Sequence, residues 1–189
     1  MSKTALLVID VQNSFRHRPS WDHVSDPDIV KNVSRLVDAA RDRDHAVHWI
    51  WHADPGTGSV FDPAMGLVTP QPGLAPRAHD LHFTKTSRNA LSTTNLAQTL
   101  TKAGTRHLVI SGIQTEQCCE TTARAAADLG FEVTFVTEAT ATFPLTRPDT
   151  GATMSAEAMI ERTEFALAGR FARIATIDTA FDDAAPHRA

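Results

Sequence analysis

Two adjacent cysteines, Cys118 and Cys119, stand inside the stretch Ser111 to Gly130, SGIQTEQCCETTARAAADLG. An apolar strand, His107-Leu108-Val109-Ile110, is predicted to stop at Ser111-Gly112, and a helix to begin a few residues later with Thr115 as its N-cap. Cys118 then falls in the first helical turn. Unpartnered N–H groups and the positive end of the helix dipole stabilise an anion there, so the thiol is expected to ionise more easily and to act as a nucleophile. A lone cysteine is more often a small packing residue. Cys119, about 100° further round the helix, fits that role. Ala123, Ala125, Ala126 and Ala127 let the helix lie close to a sheet, and Gly130 supplies its stop.

Two further groups with chemistry end apolar segments. Thr4 to Val11, TALLVIDV, reads as a central strand buried on both faces, with Asp10 at its C-terminal end. Ending so apolar a strand with an acid is costly unless the charge has a partner. Asp80 to Thr84, DLHFT, delivers Lys85 in the same way, although a lone lysine is usually a solvated surface charge. Ala46 to Trp51, AVHWIW, is a strand followed by His52. Trp51, His52 and Phe15 are candidate substrate contacts. In the polar loop Ser14 to Asp26, Arg16 or Arg18 could pair a substrate carboxylate, against the alternative of a solvated loop, and Trp21 could also line a pocket.

The remaining segments are scaffold. Asp26-Pro27 is predicted to open a helix in which Ile29, Val33, Leu36, Val37 and Ala40 repeat at helical spacing. Residues 53–79 are rich in Pro and Gly without periodicity, as expected of a lid over the site or a contact with a neighbouring subunit. A helix is expected over 92–102, a strand over 131–137, a loop over 139–151, a helix over 153–167, a strand over 172–177 and a loose tail from 182 to 189.

The 189 residues suit one domain. Eighteen basic against 22 acidic residues give a formal charge of -4, and no Lys/Arg cluster forms a phosphate-binding stripe, so nucleic acid is not an expected partner. No apolar run approaches a membrane span or a signal h-region, and a cytoplasmic protein without a membrane partner is expected. Adjacent cysteines supply neither an ordinary disulfide nor a metal-site pattern. Strands alternating with helices predict a three-layer α/β/α domain with a mainly parallel sheet. Ligands in such sheets bind beyond the carboxyl ends of the strands, and Asp10, Lys85 and Cys118 all lie at or just past such an end.

The segments LLVIDVQNSF (Leu6 to Phe15), FTK (Phe83 to Lys85) and SGIQTEQCCETTARAAADLGFEVTFVTEA (Ser111 to Ala139) resemble the isochorismatase-like cysteine hydrolase superfamily, whose amidase branch includes N-carbamoylsarcosine amidase and nicotinamidase. The resemblance implies a single domain over residues 1–189, Rossmann-like, with six strands in the order 3-2-1-4-5-6. It implies a catalytic triad of Asp10, Lys85 and Cys118, and a cis peptide between Ile113 and Gln114 that places the N–H groups of Gln114 and Cys118 as an oxyanion hole. The implied activity is cleavage of a C–N bond in a small amide or carbamoyl substrate through a thioester on Cys118. The alternatives are an ether or ester hydrolase, or a catalytically silent protein on the same fold.

Two departures bear on the substrate. The nicotinamidase branch carries Asp-Trp-His and a second His that bind a metal; here the segment reads Ile50-Trp51-His52, with Thr57 or Gly58 about where the second His would be, so no metal and no other cofactor is expected. His52 remains a candidate hydrogen-bond donor to substrate. His45, His48, His79, His82 and His107 are read as structural. Glu138 stands where the motif usually ends in Asp. The resemblance also implies a homo-oligomer, a dimer or tetramer.

Overall fold

The computed structural model describes residues 3–182, so most of the expected tail lies outside the described residues. Six strands form one parallel sheet: β1 (Lys3–Ile9), β2 (Ala46–His52), β3 (Leu81–Lys85), β4 (Thr105–Ile113), β5 (Glu132–Ala141) and β6 (Arg173–Ala175). Their order is β3-β2-β1-β4-β5-β6, with every neighbouring pair parallel. The order reverses between β1 and β4, and the crevice a ligand can use opens there.

Side-chain alternation along the strands divides the interior in two. On one face Leu6, Val8, Trp49, Trp51 and Val109 pack against α1 (Ile29–Arg41), whose Ile29, Val33, Leu36, Val37 and Ala40 are all buried. On the other, Leu7, Ile9, Ile50, Phe83 and Leu108 pack against α2 (Leu96–Ala103) and α3 (Glu120–Asp128), with Leu167 of α4 (Ala156–Leu167) closing the layer. The small Ala123 and Ala126 face the sheet, as the spacing predicts.

Several boundaries differ from those read in the sequence, each because a local hydrogen bond outcompetes a helix. The helix predicted from Asp26-Pro27 starts at Ile29; Asp26 instead accepts from the Asp28 amide (2.8 Å) and from Asn32 Nδ2 (2.9 Å), which holds a turn before the helix. The residues 92–95 turn through contacts such as Asn89 Nδ2 to Ser92 Oγ (2.8 Å), so α2 starts at Leu96 rather than Ser92. Residues 153–154 pair with 145–146 in a short hairpin inside the segment expected to be loop and helix, and α4 starts after the Ser155 cap.

β4 runs on through Ser111 and Gly112 to Ile113, and β5 continues to Ala141 after its register against β4 shifts between Ile110 and Gly112. Glu138, in the irregular part of β5, accepts the Ile177 amide at 2.8 Å and ties the chain after β6 to the sheet. Among the described residues no helix is long and apolar enough to cross a membrane.

Candidate active site

Register delivers the reactive groups to one edge. His52 pairs with Lys85 across β2 and β3, and Ile9 pairs with Ile50 and with Gly112, so Asp10, His52, Lys85 and the end of β4 lie side by side. Asp10 sits two strands from Lys85, a gap of roughly 10 Å that a long side chain can bridge. Lys85 does so: Nζ lies 2.7 Å from Asp10 Oδ2, and both residues are fully buried. The same ammonium lies 3.4 Å from Cys118 Sγ and 3.5 Å from His52 Nδ1. Its three N–H donors thus match three acceptors.

Backbone shape aims these groups. Asp10 takes φ of 56°, with its amide donating to the Ile50 carbonyl at 2.8 Å, which turns the side chain off the strand line. Opposite Ile9, Gly112 has φ of 132°, and a Cβ there would fall 1.9 Å from the Ile9 carbonyl oxygen. Only glycine lets β1 and β4 approach this closely. The Ile113–Gln114 peptide is cis. Thr115 to Cys119 then form a single π-helical turn before α3, with the Cys119 amide donating to the Gln114 carbonyl. Thr115 is therefore not the N-cap expected: it lies inside the turn, and its hydroxyl donates to Thr140 Oγ1 at 2.9 Å.

The electrostatics correct one expectation. Burial, reinforced by the Asp10 charge, pushes the Cys118 thiol up to about 12, so the benefit of the helix terminus is outweighed and the resting sulfur is protonated. Burial also raises Asp10 above the ordinary carboxylate value against the opposing pull of Lys85. Asp10 Oδ1 is buried and has no hydrogen-bond partner among the described residues. A carboxylate with an unpartnered oxygen beside a protonated thiol is a chemically competent acceptor for that proton.

A cavity of ≈ 380 Å³ opens onto Cys118 and Asp10, with Gln114 and Gln117 on its floor. Its wall includes Phe15, which meets Phe61 edge-on with ring centroids 5.0 Å apart. The segment 53–79 covers this end of the sheet, pinned by the Asn13 amide to the Thr69 carbonyl (2.8 Å) and Ser14 Oγ to the Leu67 carbonyl (2.9 Å). Asp54, Ser59, Val60 and Phe61 of this segment line the cavity, so its first part covers the site.

Residues 4–166 match the model of the isochorismatase domain. The chain belongs to the isochorismatase family. It is 29% identical over 182 residues to the uncharacterized isochorismatase family protein YrdC of Bacillus subtilis, covering 96% of each chain. It is 35% identical over 153 residues to Nicotinamidase 3 of Arabidopsis thaliana, covering 74% of this chain and 73% of that one. The crystal structure of an isochorismatase-family protein from Chromobacterium violaceum superposes with a TM-score of 0.86 at 27% identity, over 93% of this chain and 90% of the other.

Within this isochorismatase-family site the sequence-derived candidates separate. Asp10, Lys85 and Cys118 come together, and Phe15 and His52 line the cavity. Trp51 does not: it stacks on Trp49 (6.0 Å, 18°) in the core under α1, because adjacent strand residues point to opposite faces and His52 takes the cavity face. His52 is not free to donate to a substrate, since Nε2 is 3.0 Å from Asp54 Oδ1 and Nδ1 faces Lys85. Burial, with the nearby Lys85 charge, lowers its pKa, so the neutral ring with the proton on Nε2 fits both contacts. Of the loop residues, Arg18 reaches the cavity, while Arg16 is exposed away from it and Trp21 packs near Phe143.

Sequence reading missed Gln12, Asp54, Phe61, Arg88 and Gln117. Gln12 clasps β2 through both ends of its amide, Oε1 to the His52 amide (2.7 Å) and Nε2 to the His52 carbonyl (3.0 Å). A polar residue directly after the apolar run Thr4 to Val11 was its signal. Arg88 and Asp54 follow strand ends by two or three residues, a position shared with many solvated groups, and nothing local singles them out.

Proposed function

We propose that this isochorismatase-family protein is a cysteine hydrolase that cleaves the C–N bond of a small amide or carbamoyl compound. The observation that carries the reading is the placement of Lys85 Nζ within reach of both Asp10 Oδ2 and Cys118 Sγ, the two of them lining a cavity, with Asp10 Oδ1 unpartnered among the described residues. The relative named Nicotinamidase 3 supports amide chemistry.

In the first half-reaction Asp10 accepts the Sγ proton as the sulfur attacks the carbonyl carbon. The Lys85 side chain stabilises first the carboxylate and then the charge forming on sulfur. The N–H groups of Gln114 and Cys118 receive the oxyanion, each worth roughly 3–4 kcal/mol in such a site. The tetrahedral intermediate expels the amine, which takes the proton from Asp10, and a thioester remains. In the second half-reaction Asp10 takes a proton from water, hydroxide adds to the thioester, and the departing sulfur recovers the proton.

Acid-quenched mass spectrometry tests the intermediate. Protein turning over a primary amide, with nicotinamide tried first, is expected to carry the acyl group on the peptide containing Cys118, and Cys118→Ala to carry none. Hydrolysis at undiminished rate in Cys118→Ala would overturn the mechanism.

A further inference from the structure

We infer that a cavity at the opposite end of the sheet, by the amino-terminal ends of the strands, is a second ligand site, and that it takes a small neutral hydroxy-aromatic molecule through His48. The inference is independent of Cys118 and of the hydrolase reading. This cavity measures ≈ 680 Å³, against ≈ 380 Å³ beside Cys118, and is bounded by the starts of β1, β2, β3 and β4 and by the end of α2. His48 and His52 lie on one face of β2, four residues apart, so roughly 13 Å of strand separates the two sites. His48 lines the second cavity, and only 6% of it is exposed. Its ring meets Phe83 edge-on, with centroids 5.9 Å apart at 89°. Its Nδ1 is buried, and no protein group hydrogen-bonds either ring nitrogen among the described residues.

Buried polar side chains are nearly always paired, because an unmade hydrogen bond destabilises the fold. His48 is the exception that the cavity explains. Burial holds its pKa below the ordinary histidine value, against the opposing pull of Asp80, so at pH 7.5 the ring is neutral, with one N–H donor and one acceptor nitrogen. A hydroxyl both donates and accepts, and therefore serves whichever nitrogen faces it. The charge of the ligand follows from the lining. Arg41 and Asp80 pair at 2.8 Å, and the same Asp80 oxygen accepts from Trp49 Nε1 and the Arg77 amide, so both are already engaged. Lys3 and Asp44, of opposite sign, are exposed on the lining. Two cations and two carboxylates thus cancel, and no net charge selects an ion. Val47, Ala103 and Leu81 supply apolar wall, and Leu81 is 45% exposed. Apolar walls around a few placed polar groups are the general form of a small-molecule site. A flat ring covers Leu81 and packs well beside imidazole, while its hydroxyl reaches His48.

Phenol and toluene make a matched pair, because they differ only in hydroxyl against methyl. Each is titrated into isotope-labelled wild-type protein at pH 7.5 and followed by the NMR shifts of backbone amides and imidazole rings, which needs no turnover. Phenol is expected to shift His48, Leu81 and Ala103 in a saturable way, to leave Gln114 and Cys118 unmoved, and to bind about fivefold more tightly than toluene. His48→Phe keeps a flat ring and removes its hydrogen-bonding atoms, so the two ligands should then bind within about twofold of each other. Ala103→Phe, at an exposed helix end that tolerates substitution, fills the cavity instead and should weaken both ligands by about tenfold or more. It keeps the test in force if His48→Phe does not fold. Equal affinity for phenol and toluene in the wild type, no saturable shift with phenol, or phenol shifts confined to the residues around Cys118 overturns the inference. So does a phenol preference that survives in His48→Phe, or binding unchanged in Ala103→Phe.

Discussion

Replacing Lys85 by Met isolates the electrostatic core of the site without requiring a substrate. Asp10 and Lys85 are both fully buried and 2.7 Å apart. Removing one partner of a buried pair costs roughly 3–5 kcal/mol, since the other charge is left without compensation. The same penalty falls on the ionised form of Asp10 and raises its pKa further, on top of the rise burial already imposes. The sign follows from which state releases its proton first. The unfolded chain ionises near 3.8 while the folded variant still holds its proton, so stability is fully present below that value. It falls as pH rises towards the folded pKa and levels off above it.

Guanidinium unfolding followed by fluorescence of the buried Trp49 and Trp51 measures this. Lys85→Met should lie close to the wild type at pH 4.5 and about 3–5 kcal/mol below it at pH 8. Asp10→Asn combined with Lys85→Met should remove most of the pH dependence. An equal deficit at both pH values, or one under about 1 kcal/mol at pH 8, would refute the reasoning.

Other perturbations test the scaffold and the protonation states. Gly112→Ala places a Cβ 1.9 Å from the Ile9 carbonyl oxygen at a φ of 132°; crowding and backbone strain should together cost roughly 2–6 kcal/mol in chemical denaturation, and a loss under about 0.5 kcal/mol would show that β1 and β4 yield easily. Asp80→Asn weakens one oxygen that accepts from Arg41, Trp49 Nε1 and the Arg77 amide at 2.8–2.9 Å. Burial alone would raise this carboxyl, but those donors hold it below 3.8, so it contributes stability above that pH and loses it as pH falls through the folded value. The substitution should cost about 3 kcal/mol at pH 7, with the difference shrinking in acid; a pH-independent difference would contradict it. With the Cys118 thiol pushed up to about 12, the absorbance of wild type minus Cys118→Ala at 240 nm should show no thiolate step up to pH 9. A step near neutrality would contradict that assignment.

Much of this was legible because it depends on short-range pattern. The spacing of Ile29, Val33, Leu36, Val37 and Ala40 gave the buried face of α1 correctly. Asp10 and Lys85 were visible as charged groups that end apolar segments, and the parallel sheet then required those ends to share an edge. Strand order came from resemblance and not from periodicity. Trp51 was misplaced although alternation held the answer, for two consecutive residues of β2 cannot both face one cavity. The ease of ionisation expected of Cys118 failed for another reason. A helix terminus can be recognised from sequence, but the depth of burial that opposes it depends on how loop 53–79 and the neighbouring strands close over the thiol. The pairing of Asp54 with His52 likewise arises from the conformation of loop 53–79, which Pro- and Gly-rich sequence leaves open.

Thiol-dependent release of ammonia tests the central claim most directly. Wild type and Cys118→Ala are compared on a panel of small amides and carbamoyl compounds that includes nicotinamide. The account predicts release from at least one member, lowered by about 10³-fold or more in Cys118→Ala. Release that is equal in the two proteins, or none across the panel while an ester or ether is cleaved, would contradict it.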